Sequence, residues 1–401
     1  MNRIYLDNAA TTPVRKEVLK AMQPYFDKKY GNASSLHSFG REARDAIENA
    51  RKAIAKIINA EPEEIIFTSG GTEADNMAIK EISFEHMRTG NAQKSKISGA
   101  LRTEVAERNE IIISSIEHDA VLESCKTLEK IGFKIKYIGV NNDGIVDPKS
   151  IENAITPKTI LVSVMHANNE IGTIQPIEEI AKICKVKGIY FHTDAVQTFC
   201  KEKIDVKKMN IDLLSASSHK IYGPKGVGFL FIKKGTNIQA LLDGGGHEFG
   251  LRSGTENVTG IVGFAKAAEL ASKEMNSENA GLKKLRDKII QELLKIEGTI
   301  LNGSKTKRLA SNVNVSFRAI EGESILLKLD EKGIAASTGS ACSSKSLEPS
   351  HVLLALGLPH IAAHGSVRIT LGRFNTEKDV DYLISVIPKV IEDLRRISPF
   401  R

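Results

Sequence analysis

No apolar run in the chain approaches the roughly 20 residues needed to cross a bilayer. The opening residues, Met1-Asn2-Arg3-Ile4-Tyr5-Leu6-Asp7, contain no apolar core of a signal peptide. Neither a membrane partner nor export is expected, and the chain reads as cytoplasmic. It has only four cysteines, Cys125, Cys184, Cys200 and Cys342, scattered with no CxxC pair. That spacing suggests neither a zinc site nor a disulfide framework and fits a reducing compartment; no resident metal is expected. Internal repeats and low-complexity tracts are absent, and prolines number 11 against 31 glycines. Charge of one sign is also scarce. The 56 basic and 49 acidic residues leave a net +7, spread out as a solvated lysine-rich surface rather than a nucleic-acid footprint. Mild attraction for anionic substrates or acidic partner proteins is compatible with that charge.

What remains is an ordinary folded composition, 41% hydrophobic and 26% charged over 401 residues. It allows two domains, or one large and one small. Val14 to Phe26 and Ser38 to Ile58 read as helices. Short apolar strands then alternate with helices. The strands are Ile65 to Thr68, Ile111 to Ser114, Lys134 to Val140, Thr159 to Met165, Tyr190 to Thr193 and Leu213 to Ser217. Helices are expected from Glu73, from about Ala120 and over Ile177 to Lys187. This pattern predicts an α/β fold with a mostly parallel sheet flanked by helices. From about Gly263 it changes to helices (Phe264 to Glu274, Asn279 to Ile296, Glu377 to Arg396) mixed with strands at Asn312 to Phe317 and Val367 to Thr370. The expected division is a large domain over 14–262 and a smaller α+β domain made of 1–13 and 263–401. Residues 84–110 read as a polar, basic insertion on a surface loop or frayed helix extension.

Ligands of such sheets sit beyond the carboxyl ends of the strands, and polar residues gather there. A strand ending in Ser217-Ser218-His219-Lys220 runs into Ile221-Tyr222-Gly223-Pro224-Lys225-Gly226. Lys220, at a strand end beside a Gly/Pro turn, is placed to hold an aldehyde cofactor as a Schiff base. Ser69-Gly70-Gly71-Thr72-Glu73 joins a strand to a helix start, where free N–H groups favour a phosphate; alone, that turn is a weak signal. His118 follows the next strand; it reads as a structural histidine or as one that stacks on a cofactor ring and moves protons. Asp194 can cap the following helix, or it can be the anion that keeps a pyridine nitrogen protonated. Gln197 could donate to the phenolic oxygen of such a ring, and Asn169 could serve that oxygen or a substrate carboxylate. Cys342, in Ser340-Ala341-Cys342-Ser343-Ser344, reads either as a small buried residue or as a nucleophile on a loop. The other three cysteines read as spectators.

Several stretches together resemble one family in order: Tyr5 to Pro13, Thr68 to Asn76, His166 to Gly172, Asp194 to Gln197, Ser217 to Gly226, Gly244 to Thr255 and Ser337 to Ser350. The chain is similar over nearly its whole length to cysteine desulfurases of the NifS/IscS class, pyridoxal 5'-phosphate enzymes of the class V aminotransferase fold (fold type I). The resemblance implies that Lys220 carries the cofactor, with Asp194 on the ring nitrogen, Gln197 on the phenolic oxygen and His118 over the ring. It gives the phosphate to Gly71, Thr72, Ser217 and His219, completed by Thr255 from the partner subunit of a homodimer. Arg368, with Asn169, would hold the carboxylate of L-cysteine. Cys342, on a loop over about 335–350 in the small domain, would take the sulfur as a persulfide. The sulfur would pass to an iron–sulfur scaffold or a sulfur-carrier protein, and whether Cys342 also ligates a transferred cluster is left open.

The chain departs from the family pattern at Ala33, where proline is usual, and at Ser218, where glycine is usual, a change expected to constrain the backbone. The 84–110 insertion is longer than typical. The last residues, Ile397 to Arg401, lack the tail that bacterial housekeeping members use to contact their scaffold, which argues against docking by that route. The alternatives are a selenocysteine lyase or another class V aminotransferase-fold enzyme and, from a different class, a catalytically silent partner-binding subunit. Retention of Lys220 and Cys342 argues against the silent subunit.

Overall fold

The computed structural model describes residues 3–96, 108–338 and 349–398. After a short strand β1 (Ile4–Tyr5), seven strands build the central sheet: β2 (Ile65–Thr68), β3 (Glu110–Ser114), β4 (Lys134–Ile138), β5 (Thr159–Ser163), β6 (Tyr190–Asp194), β7 (Leu213–Ser217) and β8 (Gly228–Ile232). Their spatial order is β2-β8-β7-β6-β5-β3-β4. All pairings are parallel except those of β8, which runs antiparallel between β2 and β7. The strands are apolar throughout because both faces are covered. Ile112, Val162, Phe191, Leu214 and Phe229 pack with the helices Ser38–Ile57 and Ile177–Lys187. Their neighbours Ile111, Ile113, Leu161, Leu213 and Leu230 pack on the other side, with Val121, Cys125 and Leu128 of the helix Asp119–Glu129. The alternation is the two-residue period of a strand, and each buried side chain contributes about 1.5–3 kcal/mol.

A second sheet is antiparallel, with β10 (Asn312–Phe317) between β12 (Ser366–Thr370) and β9 (Thr299–Leu301). β1 pairs with β11 (Ile334–Ala335), which brings the N-terminal segment into this region. Val313, Val315, Val367 and Ile369 pack there against Leu383, Ile387 and Val390 of the helix Glu377–Ile397.

Four expectations change. The two helices expected after Gly263 are one, Val258–Leu293. Its Phe264, Ala267 and Ala268 belong to the first core and its Leu282, Ile289 and Leu293 to the second. The polar stretch that looked like a break is where the helix crosses between cores. Glu274 there accepts from Arg15 at 2.7 Å and from Arg373 at 2.6 Å. β8 was not expected; it follows the Gly223–Gly226 turn directly. Gly228 at its start is required, since a Cβ would lie 2.5 Å from the Ala216 carbonyl oxygen. The expected helix Val14 to Phe26 is shorter, Lys16–Met22, with Pro24–Asp27 as a separate turn, because Pro24 has no N–H to continue it. The helix after β2 starts at Gly71 rather than Glu73, so the glycine turn supplies its first N–H groups. That helix runs through a π-helical turn at Met77–Glu81 into Ile82–Lys96, and residues 97–107 of the insertion lie outside the described residues.

Candidate active site

The carboxyl ends of β6 and β7 and the helix start after β2 open on a cavity of about 300 Å³. Gly71, Thr72, His118, Asn169, Asp194, Gln197, Ser217, His219, Lys220 and Arg368 all line it. Residues expected from separate stretches of sequence therefore meet in one space. Gly71 has no room for a side chain, as a Cβ would lie 2.7 Å from Val196 Cγ2.

Lys220 ends a single 3-10 turn, Ser218–Lys220, that follows β7 directly. Its Nζ donates to the Ala9 and Ala10 carbonyl oxygens at 2.6 and 2.7 Å. Burial lowers its pKa to about 8; Lys201 and Arg368 push the same way, and Asp194 and Asp7 push back. Ser218 does not force the backbone into the left-handed region. Instead its N–H donates to the Val227 carbonyl at 3.1 Å. Its hydroxyl is buried without a hydrogen-bond partner, in space that Gly223 leaves open: a Cβ on Gly223 would lie 2.0 Å from Ser218 Oγ.

Asp194 sits at the cavity floor with Oδ1 accepting from the Val196 N–H at 2.8 Å. Desolvation raises its pKa, opposed chiefly by His118. Two further buried carboxyls stand close by. Asp75 is raised well above the ordinary range by burial and then by Asp194. Glu117 is raised to about 8 by burial; its Oε1 accepts from the Ser114 hydroxyl and from the Met165 N–H at 2.9 Å. Beneath them His192 bonds Ser163 at 2.8 Å and Ser215 at 3.0 Å, and burial lowers its pKa to about 3. Asp194 and Ser215 are cross-strand partners, which couples this layer to the cavity. A low-dielectric floor of this kind can hold one carboxylate charged only where an opposite charge faces it.

Opposite this floor lies the segment Asp7–Thr12. Gln197 Nε2 donates to the Ala9 carbonyl at 3.1 Å, and His219 Nδ1 meets Thr11 Oγ1 at 3.1 Å. His219 is lowered to about 4 by burial and by Lys220, so near neutral pH it is an uncharged hydrogen-bonding group. Arg368, buried on β12, donates from Nη2 to Asp7 Oδ1 at 2.8 Å and from Nη1 to the Asn169 carbonyl at 3.1 Å. Asn168 fixes the Asn169 turn: its Oδ1 accepts from the Glu170 and Ile171 N–H groups and its Nδ2 donates to the Ile116 carbonyl.

One expected residue among those described does not join this group. Thr255 lines a separate cavity of about 150 Å³ with Glu248 and Arg252. Arg252 is tied to the helix start by its 2.8 Å bond to Glu73. Cys342 lies outside the described residues. Its flanks are anchored at the site, since Ser337 and Arg368 exchange main-chain bonds of 3.1 and 2.6 Å, and Ser350 Oγ donates to Glu170 Oε2 at 2.6 Å. The other cysteines are buried, and burial pushes their thiols up, Cys184 to about 12.

Sequence reading missed Asp7, Ala9 and Ala10, which contact Arg368, Gln197 and Lys220, as well as Asp75 and Asn168. For Asp75 the available signal was a carboxylate inside an otherwise apolar helix face. The contacts of Asp7–Ala10 span more than 180 positions of the chain, so the family stretch Tyr5 to Pro13 marks the segment but not these partners.

The aminotransferase class-V family model matches residues 4–383. A protein from Dictyoglomus turgidum named cysteine desulfurase IscS is 54% identical over 399 residues, covering 99% of this chain and 97% of its own. The mitochondrial cysteine desulfurase of Saccharomyces cerevisiae is 47% identical over 399 residues, covering 99% and 76%. Among solved structures, a NifS-like protein superposes with a TM-score of 0.88 at 39% identity, over 98% of this chain and all of its own. A structure described as SspA in complex with cysteine gives a TM-score of 0.79 at 38% identity, over 93% and 100%. Matches of this extent show that the chain belongs to the aminotransferase class-V family.

Proposed function

We propose that the chain is a pyridoxal-phosphate-dependent cysteine desulfurase that converts L-cysteine to L-alanine and leaves the sulfur on Cys342 as a persulfide. The observation that carries this reading is the meeting of Lys220, Asp194, Gln197, His118 and Arg368 in one cavity. The relatives named cysteine desulfurase, and the related structure described as a cysteine complex, support it. The cavity fits the cofactor. It has an amine at one wall, a buried carboxylate at the floor, and at Gly71 a helix start where a Cβ would collide with Val196. Lys220 would attach the aldehyde, Asp194 would face the ring nitrogen, Gln197 the phenolic oxygen and His118 the ring. Gly71, Thr72, Ser217 and His219 would hold the phosphate. Thr255, which lines a different cavity from Lys220 in its own chain, would complete that grip in a second copy, which makes a homodimer part of the proposal. When bound, the cofactor supplies an electron sink for the α-carbon of the substrate.

The chain's own residues do the rest. Arg368, already oriented by Asp7 and Asn169, binds the substrate carboxylate. The amine of Lys220, lowered toward neutrality, takes the α-proton. The thiolate of Cys342 attacks the substrate sulfur, so that an S–S bond forms as the C–S bond breaks, and Lys220 and His118 manage the protons that complete alanine. An acceptor thiol on an iron–sulfur scaffold or sulfur-carrier protein then takes the outer sulfur. The two-domain division is part of the proposal, with the long helix as the shared element between the two cores. No described helix is long and apolar enough to cross a membrane, and the cytoplasm is proposed on the scattered cysteines. Mass spectrometry of Cys342 after incubation with L-cysteine tests the reading. Added sulfur on Cys342 with matching alanine is expected, and undiminished alanine from Cys342→Ala would sink it.

A further inference from the structure

Gly71 and Thr72 line the active-site cavity, and the next residue, Glu73, does not. Acids at helix starts are common because the N–H groups there attract them. Glu73 uses its oxygens differently. Oε2 accepts from the Ser69 N–H, ahead of the helix, at 2.8 Å. Oε1 and Oε2 also accept from Arg252 Nε and Nη2, at 2.8 and 3.3 Å. Within the turn, Thr68 Oγ1 donates to the Gly70 carbonyl at 2.9 Å. The turn after β2 is therefore braced along its back, while Gly71 and Thr72 face the cavity.

Arg252 comes from a loop that is itself pinned. Glu248 of that loop accepts from Arg51 Nη1 and Nη2 and from the Phe67 N–H of β2, each at 2.8 Å. Arg51 and Glu248 are both buried, and the ring centroids of Phe67 and Phe249 each lie 4.9 Å from Arg51 Cζ. Glu248 and Phe249 hold φ of +48° and +58°, conformations kept by non-glycine residues only where surroundings impose them. Arg252 thus reaches Glu73 from a fixed point. Their side chains are only 22% and 11% exposed. Exposed ion pairs contribute little, but a two-point pair largely out of water is stronger.

We propose that Glu73 and Arg252 are positioning residues for the turn that receives the cofactor phosphate: Glu73 holds the Ser69–Thr72 backbone in shape, and Arg252 cancels the charge that Glu73 would otherwise set against the phosphate. The inference rests on the cofactor reading above. A carboxylate one residue beyond Thr72 repels a phosphate held there, the more so where little water screens it. The turn needs an acceptor for the Ser69 N–H but not a negative charge. The guanidinium removes the charge and leaves the acceptor in place. Burial pushes the Glu73 carboxyl up, and the bonds from Arg252 and Ser69 more than reverse it. Near neutral pH Glu73 is therefore ionised, and its neutralisation comes from Arg252.

Titration of the cofactor-free full chain with pyridoxal phosphate and with phosphate-free pyridoxal, followed by visible absorption, separates this role from general support of the fold. Arg252→Gln should weaken pyridoxal phosphate about 10-fold and pyridoxal less than about 2-fold, because only the first carries the phosphate. Glu73→Gln, which keeps an acceptor for Ser69, should change either by less than about 3-fold. The double variant should return to within about 3-fold of the wild type, since the uncompensated carboxylate is gone. If Arg252→Gln does not fold, Arg252→Lys carries the same comparison, with a loss of about 3-fold confined to pyridoxal phosphate. An equal loss for the two aldehydes, or a double variant no better than Arg252→Gln, overturns the proposal. Tight wild-type binding with an unmoved Arg252→Gln sinks the proposal alone. A wild type that binds neither aldehyde sinks the cofactor reading, and the proposal with it.

Discussion

The two walls of the cavity are built differently. The floor consists of strand ends and the helix starts that follow them: Asp194 and Ser217 end strands of the central sheet, Gly71 begins a helix and His118 caps one. The facing wall is the segment Asp7–Thr12 together with Arg368 from the second sheet, held by long-range contacts such as Lys220 to Ala9 and Arg368 to Asp7. The floor is fixed by the pleat and register of a buried sheet. The facing wall depends on how the N-terminal segment is pinned between two cores. The floor therefore suits the unchanging part of the chemistry, attachment and polarisation of a cofactor. The facing wall suits recognition of the substrate.

The largest expected effect falls on the floor. Lys220→Ala should abolish the chromophore and lower turnover by at least about 10³-fold, since both attachment and the proton acceptor are lost. Retained turnover with retained colour would mean that another amine does this work. On the other wall, Asp7→Ala should act through Arg368. With the 2.8 Å bond gone, the guanidinium loses its orientation, and KM for cysteine should rise about 10-fold while kcat changes less. An equal loss in kcat would place Asp7 with the floor. A smaller effect returns to the floor at Gly71. A Cβ there meets Val196 Cγ2 at 2.7 Å, so Gly71→Ala should weaken cofactor affinity by several-fold, about 1 kcal/mol. The double variant with Val196→Ala should recover most of it, and a fluorescence titration with pyridoxal phosphate measures both.

The same contrast explains what could be read from the chain. β2, β7 and β10 match the expected strands residue for residue, because an apolar run bounded by turn residues carries its own evidence. Ten of the expected site residues line one cavity for the same reason, most of them lying at or just beyond strand ends. Arg368, which lies within a strand, was reached through the family resemblance instead. β8 was overlooked because its glycine reads as part of the preceding turn. The long helix was split because Glu274 and Glu278 look like a break until Arg15, Tyr222 and Arg373, all distant in sequence, are seen to pair with them. Asp7 was missed for that reason too. Its partner is 361 positions away, and the family stretch Tyr5 to Pro13 marks the segment without singling out Asp7.

The buried acids beneath the floor offer the finest test, because they should reveal the floor's dryness without touching the reaction. Glu117 has its pKa raised by burial from 4.5 to about 8, and its Oε2 has no hydrogen-bond partner. The folded chain therefore keeps a proton on Glu117 over a range in which the unfolded chain has lost it. The linkage has a definite sign. The stabilisation is full below about 4.5, declines as pH rises, and is gone above about 8. Glu117→Gln keeps an acceptor for Ser114 and the Met165 N–H but cannot ionise. The wild type should therefore lose melting temperature between pH 5 and 8.5 faster than the variant does, with the two curves diverging steadily across that window. Asp75 and Asp194 are also raised by burial and contribute a slope common to both proteins, so the difference between the curves is the quantity to read. Parallel curves would mean that water reaches Glu117 and that the floor is wetter than its packing implies. The contrast between a dry floor and a recognition wall would then rest on geometry alone.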